Sequence, residues 1–326
     1  MLRCNAVSTY NLSCSQIQEL YVIDCQITEK YGQLKRFRDV DEYRNVFLSM
    51  FDGKNNELFI LSDDKEAYGI LTFTKGADWS GKDQRKLTIR LCETKICPDL
   101  AQCLRQLILE KLEAYDRIAI TVFNSELDWL ITEFSGKAQL RSGVYFLDKG
   151  DIDMVALKEI AKIINAKNSD LRVVYTNLIT EDYVQQYCDL FNELQGDMPD
   201  VTEEAFVQFV ISPKKQMAQN ELYASRNFAH HCFMIFNANN KMVAMSNVSV
   251  NNNDPRFPYQ FLVGVSEHYR GRGLGKLMYA LMYQQLVNDV DFEKFYVNHH
   301  PKNKHAIAIS EWIGYKFSYL EATYVV

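Results

Sequence analysis

Between Val265 and Gly275 the chain reads Val-Ser-Glu-His-Tyr-Arg-Gly-Arg-Gly-Leu-Gly, with an apolar run from Phe261 to Val265 before it and an amphipathic stretch directly after. Glycine between a strand and a helix can mark nothing more than a tight turn, and Arg270 and Arg272 taken singly read as solvated charges. Three glycines alternating with two arginines at that junction read differently. A helix start carries unpaired N–H groups and about half a positive charge, and residues without a Cβ let an anion come close to the backbone. The chemistry is that of holding a pyrophosphate. Neither common nucleotide loop fits, because the Gly-Lys-Ser/Thr ending of a P-loop is missing and no Gly-x-Gly-x-x-Gly opens a βαβ unit.

A second segment follows at a fixed remove. Strand Phe295-Tyr296-Val297-Asn298 leads to Asn303-Lys304-His305-Ala306, and Gly314-Tyr315 comes after it. Arg270-Gly271-Arg272-Gly273-Leu274-Gly275 resembles the Arg/Gln-x-x-Gly-x-Gly/Ala signature of the GCN5-related N-acetyltransferases (GNAT), and the downstream segment is similar to that family's Asn-x-x-Ala and Gly-Phe positions. The resemblance implies acetyl-CoA as cofactor, its pyrophosphate on Arg270, Gly271, Arg272, Gly273, Leu274, Gly275 and Lys276. Its pantetheine arm would lie along Val263, Gly264 and Val265, with an N–H donor for the acyl oxygen near Val265. Asn298, Asn303 and Ala306 would lie across from it.

The implied activity is N-acetyltransfer: a small-molecule or peptide amine attacks the thioester directly in a ternary complex. Many relatives protonate the departing thiolate with a tyrosine, where this chain has Ser310, a far weaker acid. That leaves Tyr315, solvent or no dedicated acid, with Ser310 also readable as a small residue under the cofactor. Glu267 is the candidate base, acting through one water, or else a plain turn carboxylate. A non-catalytic acyl-CoA-binding protein is the alternative from another class.

These residues need a sheet with helices on its faces. The helix after Gly275 repeats Leu277, Met278, Leu281, Met282 and Leu286, an apolar stripe that belongs in a core. Upstream, Leu171–Tyr175 reads as a strand, and Thr180 as the N-cap of a helix burying Tyr183, Tyr187, Leu190, Phe191 and Leu194. Thr202 opens a further helix. His231–Phe236 and Met242–Val250 flank a polar turn and read as a hairpin, while Ser212–Phe228 and Asn251–Pro258 read as substrate-side loops. The order predicts an α/β fold, a mixed sheet with helices on its faces, and the resemblance implies that it is of acyl-CoA N-acyltransferase type.

The first half repeats that order: a hairpin at Leu58–Leu61 and Tyr68–Phe73, a strand Leu87–Cys92, a helix Asp99–Tyr115 and a strand Ile118–Phe123. Its strand-to-helix turn, Glu93 to Asp99, holds no glycine. The chain therefore reads as tandem GNAT-like domains, the first degenerate (1–150), a linker with a bridging helix (151–169) and a catalytic domain (170–326). The arrangement is similar to mycothiol-synthase-like acetyltransferases. One cofactor per chain is expected, and a fragment from about residue 168 is expected to keep it.

Composition agrees with two domains, since 326 residues with 47% hydrophobic content can fill two cores. A net charge of −6 and a pI near 5.6 argue against bulk electrostatic binding of nucleic acid, leaving only a local basic channel. Eight cysteines without a Cys-x-x-Cys pair suit a reducing compartment. In His230-His231-Cys232 and His299-His300, neighbours on a strand point to opposite faces and do not readily share an ion, so no metal is expected. No leader pattern and no apolar run of about 18 to 20 residues is present, and a soluble cytoplasmic protein is the expectation.

Overall fold

Helices and strands are interspersed along the chain, and the computed structural model describes residues 3–9, 12–30, 37–51, 56–63, 67–77, 83–92, 98–115, 118–123, 127, 130–131, 133–134, 137–196 and 210–326. They fall into two units, one chiefly Met1–Gly143 with Ser318–Val326 and the other chiefly Val144–Asp200 with Gln208–Phe317. The glycine-free turn expected at Glu93–Asp99 lies mostly outside the described residues, as does the helix expected from Thr202.

The first unit contains β1 (Arg3–Val7), α1 (Cys14–Lys30), β2 (Glu57–Ser62), β3 (Ala67–Ala77), β4 (Asp83–Leu91), α2 (Pro98–Ala114) and β5 (Ile118–Val122). Helix α2 buries Leu100, Leu104, Leu107 and Ile108, a three-to-four spacing that covers one sheet face. As a crossover it makes β4 and β5 parallel, and β5 is buried along its whole length, as an interior parallel strand should be. The other strands pair antiparallel in the order β1-β2-β3-β4, and residues Ala322–Val325 of the chain's last strand pair with β5. The strand β1 and the helix α1 carry no strong motif and go unread in the sequence.

The second unit begins within β6 (Lys137–Asp148) and continues with α3 (Met154–Lys167), β7 (Arg172–Thr176), α4 (Glu181–Gly196), α5 (Pro213–Ser225), β8 (Phe228–Phe236), β9 (Met242–Asn251), β10 (Tyr259–Val265), α6 (Leu274–Asp289), β11 (Lys294–His299) and α7 (Lys304–Ile313). Strand β12 (Lys316–Val325) ends the chain. The sheet order is β6-β11-β10-β9-β8-β7, antiparallel from β7 to β10 and parallel between β10 and β11. Helices α3, α6 and α7 pack on one face through Val243, Ala244, Phe295 and Val297. The alternate residues Cys232, Met234, Met245 and Leu262 meet α4 on the other.

Two segments differ from expectation. The bridging helix is α3, N-capped by Asp153, whose Oδ1 accepts from the N–H groups of Val155 and Ala156. Its Leu157, Ala161 and Ile164 lie in the second unit's core with α6. Ser212–Phe228 is not a loop but largely helix α5, with Ser212 as N-cap and Pro213 in the first turn. The face it buries is polar: Gln216 donates to Asn220, which donates to the carbonyl of Ile179, so no apolar period betrays it.

Candidate active site

Strand β10 leaves the sheet at Val265, makes a 3-10 turn over Glu267–Tyr269, and enters α6 through Arg270-Gly271-Arg272-Gly273. Gly271 and Gly273 have φ of 79° and 82°, a region that costs a residue with a Cβ about 1–2 kcal/mol. A Cβ on Gly271 would meet nothing within 4 Å, whereas one on Gly273 would stand 3.3 Å from Ile164 Cδ1 of α3. Gly273 is the N-cap of α6 and has no side chain to satisfy the first-turn N–H groups, which keep their donors for an anion. Gly275 serves packing instead, because a Cβ there would come within 2.8 Å of Ile309 Cδ1 on α7.

The loop is tied to the end of α3. Asn168 donates through Nδ2 to the carbonyls of Ile164 at 2.8 Å and Arg272 at 3.3 Å, and its Oδ1 accepts from Arg272 Nε at 2.7 Å. The Arg272 guanidinium also reaches Asp170 at 2.7 Å and lies over the Tyr269 ring. Arg270 turns the other way and donates to the carbonyl of Val265 at 3.1 Å. Lys276 places its ammonium 4.3 Å from the centre of the Trp312 ring. Asn168 is the residue the sequence does not single out, since a lone asparagine at a helix end carries no signal of what it will hold.

Beside the loop the sheet forks. Strands β10 and β11 keep register only at Tyr259–Tyr296 and Gln260–Val297. Between Gln260 and Leu262 the register with β9 shifts, leaving Phe261 as the extra residue of a bulge. The buried Gln260 amide stabilises the break by donating to the carbonyls of Asn247 and Leu262, both at 2.9 Å. Beyond it, Leu262–Val265 stay paired with β9, while no register with β11 continues. Gly264 lets Leu194 of α4 sit close, for a Cβ there would stand 2.2 Å from Leu194 Cδ1. Val263 and Val265 are half-buried against the α6 side. Asn298, next along β11, has a buried Oδ1 without a hydrogen-bond partner.

The remaining expected site residues divide by what they touch. Asn303 is the N-cap of α7, its Oδ1 accepting from the Ala306 N–H at 3.2 Å. Ser310 is fully buried between His299 Nε2 at 2.7 Å and Tyr279 Oη at 3.2 Å. Burial pushes His299 down to about 4 and Tyr279 up to about 12, so this network holds a neutral imidazole and a phenol. His299 is itself buried. The Tyr315 hydroxyl, also buried and raised by burial, accepts from Tyr283 at 2.7 Å. Glu267 is exposed on the turn, its own N–H directed at Glu193 of α4. Strand β10 runs three residues beyond Leu262, roughly 10 Å at the usual rise, before the turn that carries Glu267.

Among the described residues no group of three His, Cys, Asp or Glu can hold a metal ion. His230 and His231 indeed diverge: His230 reaches Ser249, and His231 reaches Tyr175. No described helix is long and apolar enough to cross a membrane.

Comparison with known proteins agrees with this geometry. Residues 190–315 match the model of the acetyltransferase (GNAT) family. A tandem GNAT protein from the clavulanic acid biosynthesis pathway superposes with a TM-score of 0.59 at 10% identity, covering 100% of this chain and 98% of that one. A GCN5-related N-acetyltransferase from Sphaerobacter thermophilus gives 0.58 at 10% identity, covering 100% and 95%. No curated protein matches in sequence. At such identities the solved structures speak for the fold, and the family model speaks for residues 190–315. The chain thus has the tandem GNAT fold, and within its second unit it carries a domain of the acetyltransferase (GNAT) family.

Proposed function

We propose that the second unit binds acetyl-CoA and transfers its acetyl group to the amine of a small molecule or peptide, and that the first unit binds no cofactor. The carrying observation is the conjunction of a forked sheet with a glycine-entered helix start at the end of the same strand. The residues fit the group: first-turn N–H groups of α6 without a side-chain cap, open space at Gly271, and the unpartnered Asn298 Oδ1 at the fork. Gly271, Arg272, Gly273 and the amides up to Lys276 would hold the pyrophosphate, and the main chain of Val263–Val265 the pantetheine. Acetyl-CoA supplies an acyl carbon already activated as a thioester.

The protein's part is alignment and a donor. A bulge leaves its extra residue outside the ladder, so the N–H group of Phe261 is the donor nearest the point where the strands part. Fixing two reactants is worth roughly 7 to 11 kcal/mol, and one such donor about 2.7 to 4 kcal/mol more. The C–N bond forms as the C–S bond breaks, nitrogen gives up one proton and sulfur takes one. Ser310 and Tyr315 are committed to buried partners, which supports exchange of the sulfur's proton with solvent. Glu267 is exposed on the turn, which supports a relay of the nitrogen's proton through water rather than direct transfer.

The test is mass-spectrometric detection of N-acetylated product across a broad amine panel, alongside calorimetric titration with acetyl-CoA. One site per chain with covalent transfer is expected. Two sites would overturn the assignment to the second unit alone, and tight binding without transfer to any amine would favour an acyl-CoA-binding protein.

A further inference from the structure

The sheet face that α4 and α5 cover carries side chains the reaction above does not use. Residues in direct register share a face. His230 of β8 stands opposite Ser249 of β9, Ser249 opposite Tyr259 of β10, and Tyr259 opposite Tyr296 of β11. Asn247, two residues from Ser249 and therefore on the same face, stands opposite Leu262, where β10 and β11 part.

Two buried atoms in this row go unanswered. Asn247 donates through Nδ2 to Tyr187 Oη at 2.7 Å, and its Oδ1 has no partner. His230 holds Ser249 Oγ at 3.3 Å through Nδ1 and stacks on Tyr223 at 5.1 Å between ring centres, and its Nε2 has no partner. Burial pushes His230 down to about 4, so the ring is neutral at pH 7. In the tautomer whose Nδ1–H donates to Ser249, Nε2 is an acceptor like Asn247 Oδ1. Two acceptors on adjacent strands, about 7–8 Å apart at Cα on the diagonal, can be answered together by one atom bearing two N–H groups.

A neutral primary amine is such an atom, and it keeps its lone pair for attack. Next to these acceptors the row becomes aromatic. The Tyr259 and Tyr296 rings lie 4.8 Å apart, both half-buried, and Phe261 beside them is 41% exposed.

We propose that Asn247 Oδ1 and His230 Nε2 receive the two N–H groups of a neutral primary amine, and that the acceptor is an arylalkylamine whose ring lies along Tyr259 and Tyr296. This rests on the transferase reading and names its substrate class. Binding of tyramine to the full-length, CoA-saturated protein, read by calorimetry, tests it without turnover. Asn247→Ala and His230→Leu should each weaken tyramine about tenfold or more, His230→Gln less because an acceptor remains, with CoA affinity unchanged. Tyr187→Phe, which frees the Asn247 amide with little change of shape, should fall between.

N-methyltyramine, one N–H poorer, should bind wild type about tenfold more weakly than tyramine, a comparison that stands even where a variant fails to fold. Absence of tyramine binding, equal affinity for the two amines, or native affinity in folded Asn247→Ala and His230→Leu overturns the proposal. Acetylation of spermidine or glucosamine without tyramine binding sinks this inference alone. Tyramine binding without acetyl transfer to any amine sinks the transferase reading alone.

Discussion

In the second unit the parallel strands β10 and β11 keep step for two residue pairs and then part; in the first, β4 and β5 stay paired for five, from Arg85–Ile118 to Ile89–Val122, with no shift of register. The element order is the same, a strand, a crossover helix and a parallel strand. What differs is local. Strand β10 has the bulge at Phe261, the Gln260 amide that stabilises it and the glycine that admits Leu194. Strand β4 alternates Leu87, Ile89 and Leu91 into an apolar core without interruption. Its end is fastened to α1, where Arg90 meets Asp24 and Thr28. A cleft between parallel strands is thus an added feature of the common order, and the first unit lacks it where its strands are described.

The largest effect should come from cutting the second unit where the sequence suggests a linker. A fragment starting at residue 168 loses the β6 residues beside β11 and the whole of α3. Leu157, Ala161 and Ile164 leave the core, exposing the side of α6 they cover. At about 1.5–3 kcal/mol for each large side chain against a typical total of 5–15 kcal/mol, little stability remains. The geometry reverses the expectation that this fragment keeps the cofactor. Calorimetry should show no cooperative unfolding for 168–326, whereas a cooperative transition with acetyl-CoA binding would show that α3 is dispensable.

Next in size is Gly273→Val. The new side chain must adopt φ near 82° with its Cβ 3.3 Å from Ile164, at the helix start where an anion would sit. Acetyl-CoA affinity should fall more than about a hundredfold, while the melting temperature drops only as far as roughly 1–2 kcal/mol of backbone strain requires. Native affinity in the folded variant would remove the loop from the cofactor site.

Acid should also separate the two units. All six histidines lie between His230 and His305, none in Met1–Gly143 or Ser318–Val326. Burial lowers His230 and His299 to about 4 from 6.5, and lowers His231 as well. Between those values the unfolded chain binds protons that the folded chain does not, so this stability is complete above pH 6.5 and is lost as pH falls toward 4. Each of the two contributes on the order of 3 kcal/mol across that window. Peptide-resolved hydrogen exchange at pH 7 and pH 5, corrected for intrinsic rates, should show β8, β9 and β11 losing protection while β2 to β5 change less. Equal loss in both units would mean that the histidines do not set the acid limit.

What could be read in advance follows from how far each signal reaches along the chain. The loop Arg270–Gly275 and the cap at Asn303 act within a turn of themselves, so spacing alone reveals them. Helix α6 announces its core face because that face is apolar, whereas α5 hides because Gln216 and Asn220 bury amides. The fork is invisible for another reason: nothing in Gln260-Phe261-Leu262 marks a bulge until β9 and β11 are placed on either side. Ser310 shows the same limit, since its commitment to His299 and Tyr279 joins three separate elements. The polar pair His230 and Asn247 likewise becomes a pair only through the register of β8 with β9.

The smallest effect concerns Arg272, and it decides whether the phosphate loop is held by charge or by its scaffold. Its guanidinium is occupied by Asn168 and by Asp170, at 2.7 Å each, on the side of α3. The pair with Asp170 is partly exposed, at 33% and 53%, and such pairs contribute about 0–1 kcal/mol. Arg272→Ala should therefore weaken acetyl-CoA by only about three- to tenfold, through slackening of the loop. Asn168→Ala removes the same tie from the other end, together with the hydrogen bond to the Arg272 carbonyl, and should do as much or slightly more. If both act through one scaffold, the double variant should be no weaker than the worse single one, because residues in one hydrogen-bond network do not add. Losses that multiply would show instead that Arg272 reaches the phosphates itself and that Asn168 is an independent support.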